Sequence, residues 1–270
     1  MKIIISDLDG TLLNSQNKVG KEDYETLIKM GKSGIIRILA TGRSLFSVQK
    51  VINDDFPADF LIFSTGAGIM DFKTKKIIKS YFLSKSETIK IVKNLLDLKI
   101  DFQVREKEPN GHKYHFKRFF SSNPDFDALE ITYKEHITEL FSIDDLRESS
   151  RIISISPNDG IEQRIRDKFL NYSIIRATSP IDNRSIWIEI FPKHVNKGTA
   201  VKYVCNLLNI SLEHTIGIGN DYNDIDFLDI TKQSFFVSNT CHELKTKYLL
   251  TKSNNENPIS DICKTLNIIG

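Results

Sequence analysis

Three consecutive isoleucines, Ile3, Ile4 and Ile5, run directly into Ser6-Asp7-Leu8-Asp9-Gly10-Thr11. A short apolar run bounded by polar residues reads as a strand buried on both faces, the kind found in parallel sheets. Two carboxylates then stand at i and i+2, with Gly10 directly behind them. On an unbroken strand Asp7 and Asp9 would share a face, because side chains alternate. Gly10 predicts a tight turn instead, one that curls the backbone around whatever the carboxylates hold. Open α/β sheets bind ligands at the carboxyl ends of their strands, and Asp7 stands at such an end.

The pattern recurs along the chain. A helix is expected over residues 24–30. A second buried strand over 34–40 ends in Thr41-Gly42-Arg43, and Ser44 caps a helix carrying Leu45, Val48, Val51 and Ile52. A third strand, 60–63, ends in small residues 64–68, which completes a βαβαβ pattern and predicts a parallel sheet. Residues 69–81 read as a hairpin, its turn at 71–75, leading out of the sheet. Ser84 and Glu87 form a capping box that opens a helix with Ile89, Val92, Leu95 and Leu96 on one side. Beyond it come a strand at 102–104, an irregular basic and aromatic stretch over 106–124, then strand, helix and strand at 151–156, 158–170 and 172–178. Residues 185–190 alternate apolar and polar, as a strand with one solvated face does. The mixture predicts an antiparallel α+β insert over 82–185, within a core formed by 1–81 and 186–270. The sheet pattern resumes with a helix after Lys197-Gly198, a strand at 215–219 ending in Asn220-Asp221-Tyr222-Asn223-Asp224, a helix from Ile225, a last strand at 234–237, and a helical C-terminal region from 238. The expected fold class is α/β, a Rossmann-like parallel-sheet core with an inserted α+β cap.

With 37 basic and 35 acidic residues the net charge is +2, which singles out neither nucleic acid nor a membrane surface. Cys205, Cys241 and Cys263 are odd in number and lack metal-ligand spacing, so a reducing cytoplasm is expected. The N-terminal apolar run is too short for a secretion signal, and no run approaches transmembrane length.

Asp-x-Asp-Gly also opens calcium loops. Counted from Asp7, however, the loop's glycine position holds Leu12 and its bidentate glutamate position holds Lys18. Ordinary turn chemistry explains the glycine but not a carboxylate pair behind a buried strand. Asp7-Leu8-Asp9-Gly10-Thr11 instead resembles the first motif of the haloacid dehalogenase superfamily of phosphohydrolases. Thr41, Lys197 and the acidic 220–224 turn follow in that superfamily's order. Ala40-Thr41-Gly42-Arg43, Thr65-Gly66-Ala67, Ile188-Glu189-Ile190 ahead of Lys197-Gly198, and residues 219–224 are similar to its Cof-type branch, whose cap (type C2) the insert resembles.

The resemblance implies a Mg²⁺-dependent phosphatase acting on small phosphorylated metabolites, sugar phosphates above all. Asp7 would be the nucleophile that forms an aspartyl-phosphate, and Asp9 the general acid and then base. Thr41, Gly42 and Arg43 would bind the phosphoryl group, and Lys197 would pair with it and keep Asp7 ionised. Asp7, Asp9, Asn220, Asp221 and Asp224 would supply the metal site, Asp9 through its backbone carbonyl. Two positions depart from the family pattern: Asn220 stands where an aspartate is usual, and Thr65 where asparagine is commoner. The expected partner is a small phosphate ester, without nucleic acid or membrane, bound by a monomer or homodimer. A phosphohexomutase shares this core and cap, and its second phosphate would need anchors among Arg105, Arg118, Arg151, Arg176 and Arg184. A phospho-ligand sensor with a decayed metal site is the non-enzymatic rival, opposed by the intact Asp7, Asp9 and Lys197. Within the cap, residues 112–120 mix cations and aromatics, and a half-buried strand is the favoured reading over a substrate loop.

Overall fold

The computed structural model describes residues 1–156, 160–179 and 185–268. It divides into two compact units, one of Met1–Arg43, Val48–Lys79 and Lys197–Gly270, the other of Ser44–Ser47 and Ser80–Asn196. In chain order the first part contributes β1 (Ile3–Ser6), α1 (Lys21–Lys32), β2 (Ile36–Ala40), α2 (Leu45–Val48), β3 (Phe60–Phe63), β4 (Gly68–Asp71) and β5 (Lys76–Ser80). The cap follows with α3 (Lys85–Leu98), β6 (Phe102–Glu106), β7 (Tyr114–Lys117), α4 (Pro124–Thr132), β8 (Ile137–Glu139), β9 (Ser149–Ser156), α5 (Ile161–Lys168), β10 (Ser173–Thr178) and β11 (Ile186–Phe191). The core is completed by α6 (Lys197–Leu207), β12 (Thr215–Gly219), α7 (Ile225–Leu228), β13 (Gln233–Val237), β14 (Leu249–Thr251) and α8 (Pro258–Thr265).

The core sheet runs β14-β13-β12-β1-β2-β3-β4-β5, and β1 is parallel to both neighbours. From β1 the chain proceeds to one side through β2 and β3, and later to the other through β12 to β14. Strand β1 therefore sits where the winding reverses, which is where open α/β sheets form their ligand crevice. Ile3, Ile5, Ile38 and Ile62 pack one face of the sheet against Ala200, Val201 and Val204 of α6 and Phe227 of α7. Burial of these side chains, each worth about 1.5–3 kcal/mol, fixes the strand ends that carry the polar residues.

The hairpin expected to leave the sheet instead extends it, with β4 antiparallel to β3 and Ile69 and Ile78 joining the core. The helix after Ser44 is a single turn, Leu45–Val48, rather than one reaching Ile52.

The cap sheet runs β10-β11-β9-β6-β7-β8. Helices α3 and α5 cover one face through Ile91, Val92, Leu95, Ile161 and Ile165, packed on Phe102, Val104, Ile152, Ile188 and Ile190. The Ser84 and Glu87 capping box opens α3 as the sequence predicts. The expected end of the insert at residue 185 falls one strand short: β11 pairs antiparallel with β9 and β10 and completes the cap's apolar face. Its second face is covered too, because Trp187 packs beside Phe126 and Ile155 and Glu189 is buried. Within 112–120 the strand reading holds for β7. Asn158, the expected start of the helix observed as α5, lies outside the described residues, as does Arg184.

Candidate active site

Asp7 follows β1 by one residue, and its N–H continues the ladder to the Ile218 carbonyl at 3.0 Å. Its side chain is 6% exposed, whereas that of Asp9 is 42% exposed. The two carboxylates thus part company after the strand ends. Gly10 makes this possible with a φ of +70°, a left-handed conformation that glycine adopts without steric cost. A Cβ at Gly10 would also stand 2.5 Å from the Asn220 side-chain nitrogen, so the first strand-end turn lies directly against the 220–224 turn.

Lys197 opens α6, a position where the helix dipole disfavours a cation. It is nevertheless fully buried, and its ammonium donates to Asp7 Oδ1 at 2.7 Å, Asp224 Oδ1 at 2.7 Å and Asn223 Oδ1 at 3.1 Å. Gly198 lets α6 come this close, since a Cβ there would meet the Asp226 carbonyl at 2.2 Å. Asp224 Oδ2 accepts the N–H groups of Asn220 and Asp221 at 2.8 and 3.0 Å. Asp224, expected among the metal ligands, gives Oδ1 to the Lys197 ammonium and Oδ2 to these two N–H groups. Asp7 Oδ2 accepts no hydrogen bond from the described residues.

Two buried carboxylates share one ammonium, and the imbalance shows in their titration. Burial pushes Asp7 from its ordinary 3.8 to about 8, Asp224 adds to this, and Lys197 pulls against it. Burial raises Asp224 as well, although Lys197 and two backbone N–H groups favour its charged form. For Lys197 burial acts downward, yet Asp224 and Asp7 together hold its pKa above the ordinary value.

Arg43 points at Asp9. Its Nε lies 2.9 Å from both carboxylate oxygens and its Nη2 2.6 Å from Oδ1. The Arg43 N–H donates to Thr41 Oγ1 at 3.1 Å, so the hydroxyl of this buried threonine keeps its own proton for another acceptor. Gly42 lies between the 65 and 223 positions: a Cβ there would be 3.5 Å from Thr65 Oγ1 and 3.6 Å from Asn223 Nδ2. The ends of β1, β2, β3 and β12 therefore converge as the sequence pattern implies. Sequence reasoning gave no role to Asn223, the third partner of Lys197, or to Asn239, whose side-chain N–H groups reach the Gly10 carbonyl at 2.8 Å. Both are small polar residues behind strands β12 and β13, the same signal that marks Asp7 and Thr41.

Among the described residues no three His, Cys, Asp or Glu side chains converge as a metal site. Mg²⁺ does not need three, because it takes one or two carboxylates and completes its shell with water and substrate oxygens. An unbonded oxygen on a buried carboxylate, in a crevice with more anions than cations, fits such an ion.

A family model described as haloacid dehalogenase-like hydrolase matches residues 4–262. The chain belongs to that family. The phosphatase YwpJ of Bacillus subtilis is 25% identical over 98% of this chain and 100% of its own length. A second B. subtilis relative, the 5-amino-6-(5-phospho-D-ribitylamino)uracil phosphatase YwtE, is 25% identical over 96% of each chain. Among solved structures, the haloacid dehalogenase phosphatase BT1666 of Bacteroides thetaiotaomicron superposes with a TM-score of 0.83 at 17% identity, over 100% of this chain and 96% of that one. The subclass IIB sugar phosphatase BT4131 superposes with a TM-score of 0.79 at 17% identity over the full length of both. The chain is a hydrolase of the Cof-type branch, a phosphatase with the family's α/β core.

Proposed function

We propose that this haloacid dehalogenase-like hydrolase is a Mg²⁺-dependent, cytoplasmic phosphatase of small phosphorylated metabolites, sugar phosphates among them, and that it works through an aspartyl-phosphate on Asp7. The observation that carries the reading is the buried Lys197 ammonium held at 2.7 Å from both Asp7 and Asp224. An ammonium so placed keeps Asp7 oriented and offers charge to an arriving phosphoryl group, while Asp7 Oδ2 stays open to attack. The bound metal would supply the remaining positive charge that lets an anionic nucleophile approach an anionic ester. Asp7, the Asp9 backbone carbonyl and Asn220 would hold it, with Asp221 beside them.

In the first step Asp7 Oδ2 bonds to phosphorus, the ester P–O bond breaks, and the leaving alkoxide takes a proton from Asp9. In the second, Asp9 removes a proton from water, which attacks phosphorus, and the acyl-phosphate bond breaks to regenerate Asp7. The Thr41 hydroxyl and the Gly42 N–H bind a phosphoryl oxygen. Arg43 grips the Asp9 carboxylate, and a phosphoryl group would compete for that guanidinium and free Asp9 for its proton. The cap sets which ester is accepted, since the residues proposed for chemistry all lie outside it. Release of inorganic phosphate from a panel of phosphorylated metabolites, with Mg²⁺ and with EDTA, tests the reading. A protein that releases phosphate equally well in EDTA, or from no ester in the panel, sinks it.

A further inference from the structure

The cap buries two arginines on one face of its sheet. Arg105 on β6 stands opposite Arg151 on β9, and each is only 4% exposed. Like charges facing each other across a strand pair repel. Arg151 has a carboxylate, Glu189 on β11, at 3.2 Å. Arg105 forms no ion pair with the described residues. Its guanidinium donates to Gln103 Oε1 at 2.6 Å and, at a long 3.4 Å, to the Gly111 carbonyl, while its Nε has no acceptor. Gln103 is itself fully buried, and its Nε2 is likewise without an acceptor. The rings of Tyr114 and Tyr133 stand with their centroids 4.1 and 5.4 Å from the Arg105 guanidinium carbon. Such ring contacts offset only part of the cost of taking a guanidinium out of water. Accordingly burial, ahead of every other influence, holds the pKa of Arg105 below its ordinary value. The cap's Arg118, Arg166 and Arg176 are all paired with acidic side chains.

A buried cation with unused donors, beside a buried amide with an unused donor, is the chemistry of an anion site. We propose that Arg105 and Gln103 bind a small oxyanion group, a carboxylate or a phosphate-type group of a ligand, against the Tyr114 ring. The guanidinium offers adjacent N–H groups to two oxygens, and the amide adds a further donor. The site lies within the cap and is independent of the chemistry proposed for Asp7, so either idea can fail without the other.

Trp187, the only tryptophan in the chain, lies on β11 two residues before Glu189 and on the same face of the cap sheet. The full-length protein is titrated with sulfate and, separately, with malonate, with chloride holding ionic strength constant, and both Trp187 fluorescence and melting temperature are followed. A saturable response is expected, stronger for sulfate if the ligand group is a phosphate and stronger for malonate if it is a carboxylate. Arg105→Met should weaken binding at least tenfold, and Arg105→Lys, which keeps the charge but loses the planar fork, should also weaken it. Arg43→Met, which removes the more exposed cation of the core, should leave the response intact, which separates it from anion binding in the core. Fluorescence and melting temperature that both ignore the two anions, or responses that persist at full strength in both Arg105 variants, overturn the proposal.

Discussion

Replacing Asp7 with asparagine is expected to abolish turnover and, against the usual result for a buried charged residue, to stabilise the fold at neutral pH. An amide is too weak a nucleophile to attack phosphorus, so phosphate release should fall below about one thousandth of wild type. The stability effect follows from the two anions that share Lys197. Asp7 titrates near 3.8 when exposed and at about 8 in the fold, with burial the main cause and Asp224 the next. Its folded pKa is raised, so between these values the folded chain retains a proton that the unfolded chain releases. Stability from this group is complete below the unfolded pKa and is lost as pH rises towards the folded one. At about 1.4 kcal/mol per unit, the loss reaches about 4 kcal/mol at pH 7. Asparagine escapes it and leaves Lys197 and Asp224 as a neutral buried pair.

The assay is urea unfolding of wild type and Asp7→Asn in EDTA at pH 5, 6, 7 and 8. Groups that do not interact with Asp7 contribute equally to both proteins, so the difference between them reports Asp7 together with its coupled partners Asp224 and Lys197. The gap in favour of Asp7→Asn should widen with pH across this range and level off above pH 8. Added Mg²⁺ should narrow it, because an ion that binds only the folded wild type stabilises that protein alone. Two stability curves that stay parallel from pH 5 to pH 8 would refute the charge imbalance. An active Asp7→Asn would refute the covalent mechanism.

Asn220→Asp should lower the Mg²⁺ concentration for half-maximal activity and destabilise the metal-free protein, because a full charge next to the ion adds a few kcal/mol of attraction; an unchanged Mg²⁺ midpoint would mean that the 220 side chain does not serve the metal. Asp23, buried with its oxygen accepting the Ser260 N–H at 2.8 Å, is raised by burial from 3.8 to about 7. Stability from Asp23 should therefore fall as pH rises from 4 to 7, and Asp23→Asn should remove that slope in EDTA melts; an unchanged slope would place the titration elsewhere. Thr65 sits at φ +53°, a left-handed conformation that asparagine tolerates far better than a β-branched residue. Thr65→Asn should then raise the melting temperature by roughly 2–4 °C, the shift that about 1 kcal/mol gives in a chain of this size; a lower melting temperature would show that contacts of the threonine side chain outweigh the backbone gain.

What the sequence made legible follows from how local each signal was. The buried strands of the core were readable because four or five apolar residues ending in small polar ones have few alternatives. Asp7, Thr41 and Asn220 were readable for the same reason, as residues at strand ends. The boundary at 185 was missed because alternation identifies a strand but not its sheet. What assigns β11 to the cap is pairing with Ser149–Ser156 and Ser173–Thr178, and no local pattern encodes that. The stretch from 125 to 150 gave no element at all, and α4 is held there by burial of Phe126 and Leu129, not by a strong amphipathic period.

The hydrogen-bond partners of Asp224 were out of reach for a sharper reason. Four acidic or amide residues within 220–224 are interchangeable as metal ligands by composition, and only the backbone turn decides which of them faces Lys197. That turn directs the N–H groups of Asn220 and Asp221 at Asp224 Oδ2 and leaves its Oδ1 for the ammonium. Asp224 thus spends its charge on Lys197, and Lys197 is left to serve two carboxylates. One of them, Asp7, stays undercompensated and has a free oxygen. A neutral residue at 220 then makes physical sense, since a further anion in this crevice would deepen the imbalance whenever the ion is away. On this view Asn220 trades metal affinity for a more stable metal-free fold, and the two effects of Asn220→Asp are a single exchange read in two assays.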